Sequence, residues 1–251
     1  MKHILVLGTR IDRISFAGAI ELAYSLLGER RSAYVVTPNT EMILLARKNA
    51  ALHEAIGASA LALPDSAGVA MACRILGMPI VQRIPGIDFA GVLLGRMAAE
   101  GKSVYLLGAR EGVALRAAEA LRAAYPGLVI AGADNGFFDE CDEDALIRRI
   151  NAASPDLMLV CLGSPKQELW MHRCSARLRV GLMAGLGGAL DVFAGDIPRA
   201  PLRWRENGME WLYRLLREPR RIKRVLRLPL VLIAAAACRI KGERKKWQGE
   251  S

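Results

Sequence analysis

The feature that most limits how this chain can fold is a regular alternation of short apolar runs with longer amphipathic stretches. The strand-like runs lie at 3–8, 33–37, 60–63, 79–84, 103–108, 128–132, 157–162 and 180–184. Helical spacing of apolar residues occupies most of the intervals, at 15–28, 40–50, 66–76, 89–100, 110–124, 142–153 and 166–177. Such alternation implies right-handed crossovers and a mainly parallel sheet with helices on both faces, an α/β, Rossmann-like fold.

One stretch shows a buried strand followed directly by a helix. The continuous apolar run Leu157–Leu162 suits a strand covered on both faces, and Ser164-Pro165 predicts a helix with Ser as N-cap and Pro at its first position. Free N–H groups there favour an anion, and Lys166 adds a positive charge. Gln167 and Glu168, in the first turn, would face the ligand. The alternative is an ordinary turn with a solvated Lys-Gln-Glu face.

Polar residues and glycines follow most of the predicted strands, at the edge of the sheet where ligands bind in doubly wound folds. They are Thr37, Asn39, Asp65, Arg83, Asp88, Gly108–Gly112, Gly132–Gly136, Gly163 and Gly185–Asp191. Each alone is typical of a turn. Together they predict a polar pocket along one edge of the sheet.

Asp65 is the best candidate for a general base. A carboxylate in a pocket at a strand end can take a proton from a sugar hydroxyl that lies within hydrogen-bond reach. Asp65-Ser66 also precedes an apolar helical stretch, so a helix N-cap is an equally good interpretation of the spacing.

Several other chemistries are disfavoured. Residues 7–10 are Leu-Gly-Thr-Arg, and neither a G-x-G-x-x-G turn nor a Walker motif occurs, which argues against hydride transfer on a dinucleotide. Asp142-Glu143-Asp144 matches a metal-binding D-x-D pattern, but an acidic helix start is the better interpretation. The three histidines lack metal-ligand or triad spacing. No metal and no other cofactor is expected.

Composition indicates a globular protein, with 53% apolar and 24% charged residues. The five cysteines are scattered without a Cys-x-x-Cys pair, which favours reduced, structural thiols in a cytosolic protein. The chain begins directly with a strand pattern at Met-Lys-His-Ile, so no signal peptide is expected.

The net charge of +10 is concentrated at the C-terminal end. Residues 214–251 hold 12 Lys and Arg against 3 Asp and Glu, whereas residues 1–213 hold 23 against 22. The apolar run Leu228–Cys238 has eleven residues. As a helix it is only about 16 Å long, half of the roughly 30 Å hydrocarbon core. The composition therefore predicts that residues 214–246 lie at the membrane interface and are attracted to anionic lipid. A nucleic-acid arm or a solvated helix is the alternative.

The motifs in combination resemble the bacterial WecG/TagA/CpsF glycosyltransferases, in order, from about residue 3 to 227. They are Thr37-Pro-Asn39-x-Glu41, Pro64-Asp65, Arg83-x-x-Gly86-x-Asp88, Gly163-x-Pro-Lys-Gln-Glu-x-Trp170, Gly187-Gly-Ala-x-Asp191, Arg199-Ala-Pro and Gly208-Met-Glu-Trp211-Leu-Tyr-Arg214-Leu-x-x-Glu-Pro-x-Arg221. The sequence has Asp65-Ser66 where this family frequently has Asp-Gly. The extension beyond Arg227 lies outside the resemblance.

The resemblance implies an inverting, metal-independent transfer of a sugar, typically N-acetylmannosamine from its UDP donor, to a lipid-linked N-acetylglucosamine at the cytoplasmic membrane face. It implies that Asp65 is the general base. With Asp65, Thr37 and Arg83 are expected in the catalytic group. The other expected substrate-binding residues are Asn39, Gly108, Gly163, Lys166, Gln167, Glu168, Gly185, Gly187 and Asp191. The resemblance also implies that three tail arginines neutralise the diphosphate: Arg214, Arg221 and Arg224.

We therefore expect a catalytic core over residues 1–195 and an Arg-rich helical appendage over residues 196–251. The expected protein is cytoplasmic, lies peripherally on the inner face of the membrane, and takes part in teichoic acid-type polysaccharide synthesis. Nucleic acid is not an expected partner, and the oligomeric state is open, a homo-oligomer included. The rivals are another donor (UDP-glucose or a UDP-uronic acid), a dinucleotide-dependent reductase and a non-catalytic membrane-surface adaptor.

Overall fold

A six-stranded sheet forms the centre of the molecule, in a computed structural model that describes residues 2–201, 203–204, 209–217 and 227–240. The strands of the described chain are β1 His3–Val6, β2 Thr9–Asp12, β3 Ala33–Val36, β4 Leu61–Ala62, β5 Ser103–Gly108, β6 Val129–Asp134, β7 Leu157–Cys161 and β8 Leu182–Gly185. The order in the main sheet is β4-β3-β8-β7-β5-β6, and every pairing in it is parallel. The carboxyl ends of all six strands therefore lie at one edge.

Helices cover both faces of this sheet. The helices up to residue 193 are α1 Phe16–Leu27, α2 Thr40–Ala46, α3 Ala50–Gly57, α4 Ala67–Ile75, α5 Gly86–Ala99, α6 Val113–Ala124, α7 Glu140–Ala153, α8 Lys166–Cys174 and α9 Ala189–Phe193. α4 packs on the N-terminal hairpin rather than on a face of the sheet. Apolar residues of α1, α5, α6 and α9 pack on one face, and those of α2, α3, α7 and α8 pack on the other. The predicted α/β fold is confirmed, because strands buried on both faces require continuous apolar runs.

The first apolar run lies outside the main sheet, contrary to expectation. β1 pairs in an antiparallel hairpin with β2, and Leu7 and Gly8 make the two-residue turn with positive φ at both positions. Asp12, at the end of the hairpin, is fully buried and accepts from the Ala62 N–H of the edge strand β4 at 2.8 Å. Arg10 pairs with the same carboxylate at 2.8 Å. The hairpin thus covers one edge of the sheet.

The strand predicted over 79–84 is wrong. This segment has no strand structure, and Val81 is 59% exposed, so its apolar residues do not mark a strand covered on both faces. One backbone bond, from Ile84 N to Pro64 O at 2.9 Å, ties the segment to the end of β4. The segment is a loop that carries Arg83 to the carboxyl edge.

Two predicted helix boundaries also need correction. The helix predicted over 40–50 is two helices, α2 and α3, because Asn49 caps a new helix by accepting from Leu52 N at 3.0 Å. Ser164 is not the N-cap of α8: that position is held by Pro165, which makes no side-chain cap bond and follows a cis peptide bond.

The C-terminal segment contributes α10 Glu210–Arg217 and α11 Leu228–Ile240. α11 packs on α4 and α2, and its Val231 and Ala235 are buried in the same apolar cluster as residues of β1. Arginines hold both of its ends: Arg227 pairs with Glu41 of α2 at 2.5 Å, and Arg239 donates to the Ile75 carbonyl at 2.8 Å. The apolar run thus packs on the core in this structure; the division at residue 195 remains a prediction.

We predict that Gly68→Val loosens α11. A Cβ at Gly68 would lie 2.5 Å from Leu228 Cδ1 and 2.8 Å from Thr40 Cγ2, so the Leu228 and Thr40 side chains have to move and the packing of α11 on α4 is disturbed. Overpacking of this kind costs about 1–3 kcal/mol in the free energy of unfolding. Denaturant unfolding measures the loss, and limited proteolysis should cleave the C-terminal segment faster.

Gly57→Ala is the matched control, since it also adds a Cβ to a helical glycine but has nothing within 4 Å. It should be neutral or stabilise the fold by up to about 1 kcal/mol. Equal stability of the two variants would show that α11 does not pack against α4 at Gly68.

Candidate functional site

A polar cleft lies at the carboxyl edge, where β4, β3, β8 and β7 stand side by side. It has two adjoining lobes of about 190 and 230 Å³. Both lobes are lined by Thr37, Asp65, Leu186, Gly188 and Val192. The chain segments that follow these four strands therefore meet at one site.

The first lobe is suited to an anion. Its lining includes Arg83 and residues at the starts of two helices: Ser66 and Ala67 at α4, and Gly86 and Ile87 at α5. Helix N-termini carry a partial positive charge and free N–H groups, which favour negative ligands such as phosphates. These groups lie beside the Asp65 carboxylate, which lines the same lobe.

Asp65 lies in both lobes but is not the cap of the helix that follows it. The Ser66 side chain takes that role, because its hydroxyl accepts from Val69 N at 3.2 Å. The N-cap interpretation of Asp65 is therefore wrong. Its half-buried carboxylate faces the cleft instead, in the same lobe as Arg83.

Thr37 and Asn39 follow β3 and line the second lobe. Thr37 is buried, and its hydroxyl donates to the Gly185 carbonyl of the neighbouring strand at 3.0 Å. Asn39 caps α2 through Oδ1, which accepts from Glu41 N at 2.9 Å and from Met42 N at 3.1 Å. The cap fixes the Asn39 side chain in one orientation at the lobe.

A buried pair, Gln167 and Glu168, supports the glycine turn that closes the second lobe. Gln167 Nε2 donates to Glu168 Oε1 at 2.6 Å, and Gln167 Oε1 accepts from Gly187 N at 3.0 Å. Glu168 is fully buried, and its Oε2 has no hydrogen-bond partner in the described part of the chain. Burial raises the pKa of the Glu168 carboxyl above its ordinary value, which favours the protonated form.

The structure brings some of the predicted site residues together and leaves others outside the lining of the lobes. Those that line the cleft are Thr37, Asn39, Asp65, Arg83, Gly163, Gln167 and Gly187. Glu168 and Gly185 lie directly behind it. Asp191 lies in α9, between lining residues Ala189 and Val192.

Gly108 and Lys166 have other contacts. A Cβ at Gly108 would lie 2.3 Å from the Cys161 carbonyl oxygen, so glycine is required where β5 and β7 end side by side. Lys166 Nζ donates to the Gly136 carbonyl at 2.9 Å and lies 4.5 Å from the centre of the Phe138 ring. In this structure its charge is directed at that loop.

The tail arginines are not placed by the structure. Arg221 and Arg224 lie outside the described residues, and Arg214 belongs to α10, but its side chain is not described.

Sequence reasoning missed Trp211 and the apolar wall of the cleft. Trp211 of α10 lines the first lobe and is 43% exposed, so the C-terminal segment reaches the site. Trp211 belongs to the family motif of residues 208–221, and this membership could have indicated that it lies at the site. Leu186 and Val192 gave no such signal, since apolar residues beside a strand end have the same pattern as core residues.

Two further residues from the sequence motifs, Arg199 and Asp88, are in contact. Arg199 forms an ion pair with Asp88 in the first turn of α5, and this pairing holds the chain after α9 against the helix that begins at the first lobe. Arg199 and Asp88 belong to two different motifs of the sequence. The ion pair shows that these motifs, 111 positions apart, are in contact in the fold.

The acidic residues at the start of α7 and the cysteines have other contacts. Among the described residues, no group of three or more His, Cys, Asp or Glu side chains could hold a metal ion. The acidic start of α7 is used in ion pairs, Glu143 with Arg173 and Asp144 with Arg177. All five cysteines are free thiols, and burial raises the pKa of Cys161 to about 12, so it stays neutral.

Comparison with known proteins identifies the family of this cleft. The sequence model of the "Glycosyl transferase WecG/TagA/CpsF family" matches residues 4–245. The chain belongs to this family. The match corrects one expectation, because it extends past Arg227 and includes α11. Family membership favours glycosyl transfer over the reductase and adaptor alternatives.

One curated relative matches over nearly the whole chain. It is the N-acetylglucosaminyldiphosphoundecaprenol N-acetyl-beta-D-mannosaminyltransferase of Bacillus spizizenii strain W23, which is 33% identical over 220 residues, or 88% of this chain and 84% of the relative. In addition, the described helices include none long and apolar enough to cross a bilayer.

We predict that Glu168→Gln makes stability less dependent on pH. The raised pKa means that the folded state keeps a proton that the unfolded state releases above pH about 4.5, so Glu168 lowers stability as the pH rises from there. The neutral glutamine removes this loss. As the pH rises above about 4.5, the free energy of unfolding of the variant should increase relative to that of the wild type by up to about 1.4 kcal/mol per pH unit, measured by denaturant unfolding.

Glu119→Gln is the control, since it makes the same change on the exposed face of α6. It should follow the wild-type pH profile. If Glu168→Gln also follows that profile, or loses stability as the pH rises, Glu168 is ionised in the folded state.

Proposed function

We propose that this glycosyltransferase moves N-acetylmannosamine from a UDP donor to the N-acetylglucosamine of a polyprenyl-diphosphate-linked acceptor, with inversion at the anomeric carbon. The observation that carries the proposal is the position of Asp65, which lies in both lobes of a cleft with an anion-binding end. The substrates follow from the relative, whose name states both the transferred sugar and the lipid-linked acceptor.

The proposed reaction is a single displacement. The Asp65 carboxylate accepts the proton of the acceptor hydroxyl while that oxygen attacks the anomeric carbon of the donor sugar. The bond from the anomeric carbon to the β-phosphate oxygen breaks on the opposite side, and its electron pair leaves with UDP. Because attack and departure are on opposite faces of the sugar, the anomeric configuration inverts.

Cations and helix ends would stabilise the departing diphosphate. Arg83 and the first turns of α4 and α5 line the first lobe, where the negative charge develops. In this proposal Arg214, Arg221 and Arg224 of the tail add further positive charge to neutralise the diphosphate. With these groups the reaction needs no metal ion, and UDP-sugar is a substrate rather than a cofactor.

The second lobe would hold the donor sugar. Thr37, Asn39 and Gln167 present polar atoms there, and Gly163 and Gly187 let the substrate approach the backbone closely. Asp191 and the adjoining glycine turn would help to hold the nucleotide. UDP-glucose or a UDP-uronic acid is the alternative donor, since such sugars differ from N-acetylmannosamine in a few substituents at this lobe.

The basic tail would place the cleft beside the membrane that holds the acceptor. Residues 214–246, with their excess of Lys and Arg, would bind anionic lipid at the cytoplasmic face without spanning the bilayer. Such binding weakens as salt screens the charges. The protein would therefore be cytoplasmic and peripheral, and would serve teichoic acid-type polysaccharide synthesis.

We predict that Asp65→Asn abolishes turnover without disturbing the fold. The amide cannot accept the proton, and loss of a general base lowers the rate by about 10²–10⁴-fold. Helix α4 keeps its cap, because Ser66 provides it. Steady-state UDP release measures the rate, while thermal unfolding and UDP binding show that structure and donor site remain.

Asp139→Asn is the matched control. Asp139 caps α7, away from the cleft lining, and asparagine caps helices about equally well, so full activity is expected. A near-normal rate in Asp65→Asn would contradict the proposed base.

A further inference from the structure

A groove outside the cleft is bounded by α2 and the start of α11. It encloses about 510 Å³, within the range of small-molecule sites. It is lined by three leucines and three cations: Leu44, Leu45, Leu230, Arg47, Lys48 and Arg227. The lining thus combines an apolar surface with three positive charges.

The groove begins where the catalytic cleft ends. Glu41 lines the second lobe, and Leu44 and Leu45 follow it by three and four positions, which places all three on one side of α2. The ion pair between Glu41 and Arg227, at 2.5 Å, lies between the two spaces. A ligand whose polar end lies at Asp65, beside the donor sugar, can therefore extend its other end past this pair into the groove.

The groove continues along an exposed apolar stripe. Leu230, Ile233, Ala237 and Ile240 recur on one side of α11, and the three larger residues are 57%, 67% and 85% exposed. The opposite side of α11 packs on the core. The stripe extends for about 15 Å, at 1.5 Å per residue. Exposed apolar surface of this length, rimmed by cations, favours contact with a hydrocarbon chain.

We propose that this groove binds the isoprenoid chain of the lipid-linked acceptor next to its diphosphate. The inference rests on the proposed function, since it names the path of the acceptor from the membrane to Asp65. The leucines match the apolar chain. Arg47 and Lys48 match the anionic diphosphate at its head, and Arg227, paired with Glu41, lies beside them. The stripe on α11 then receives the chain where it leaves the groove toward the bilayer.

The test compares two acceptors with the same sugar diphosphate, one carrying a farnesyl chain and one a methyl group. We expect the wild type to have a higher kcat/KM for the farnesyl acceptor than for the methyl acceptor. Leu230→Glu should lower this preference about tenfold or more, because the bound chain would cover the new charge. Leu230→Met, which keeps an apolar side chain, should restore it. Binding of a fluorescent geranyl diphosphate should weaken in parallel.

Leu115→Glu is the matched control. This leucine of α6 is 60% exposed, close to the 57% of Leu230, and should leave the preference and probe binding unchanged. An unchanged preference in Leu230→Glu would contradict binding of the chain in the groove. An equal loss of kcat/KM for both acceptors would also contradict it, since it would indicate a general effect on the enzyme. Failure of the wild type to glycosylate either acceptor overturns the proposed function itself.

Discussion

The parallel pairing of β3 with β8 brings together two segments that are far apart in the chain. Thr37 and Gly185, joined by a hydrogen bond across the ends of these strands, are 148 positions apart. β4 lies beyond β3 and β7 lies beyond β8, so the pairing also sets Asp65 opposite Gly163 and Gln167. Without it the two halves of the cleft would not meet, because no local contact joins them.

The sequence predicts the parts of the fold that depend on local pattern. Buried parallel strands require short apolar runs, and crossover helices require amphipathic spacing, so β7 and α6 could be predicted from their own residues. The hairpin of β1 and β2 could not, because an apolar run at the N-terminus has the same pattern whether it joins the sheet or covers its edge. The loop over 79–84 was taken for a strand for the same reason.

The cleft was predictable where polar residues follow strands, and less so where the contact is between distant segments. Thr37, Asp65 and Gln167 stand directly after strand patterns, and the family resemblance singled out their motifs. That Ser66 rather than Asp65 caps α4 depends on side-chain geometry, which spacing leaves open. The groove between α2 and α11 depends on how a tail packs, and composition alone gave that tail only a charge and an apolar run.

In the proposed division of labour, chemistry takes place in the polar cleft at the sheet edge, and the basic, apolar C-terminal segment beside it binds the acceptor. The decisive measurement is UDP release by purified protein, with a short-chain N-acetylglucosamine-diphosphate lipid as acceptor and EDTA present. We expect release with UDP-N-acetylmannosamine and none with UDP-glucose. Release with UDP-glucose alone would contradict the donor assignment, and no release from either donor, with UDP still bound, would contradict the proposed reaction.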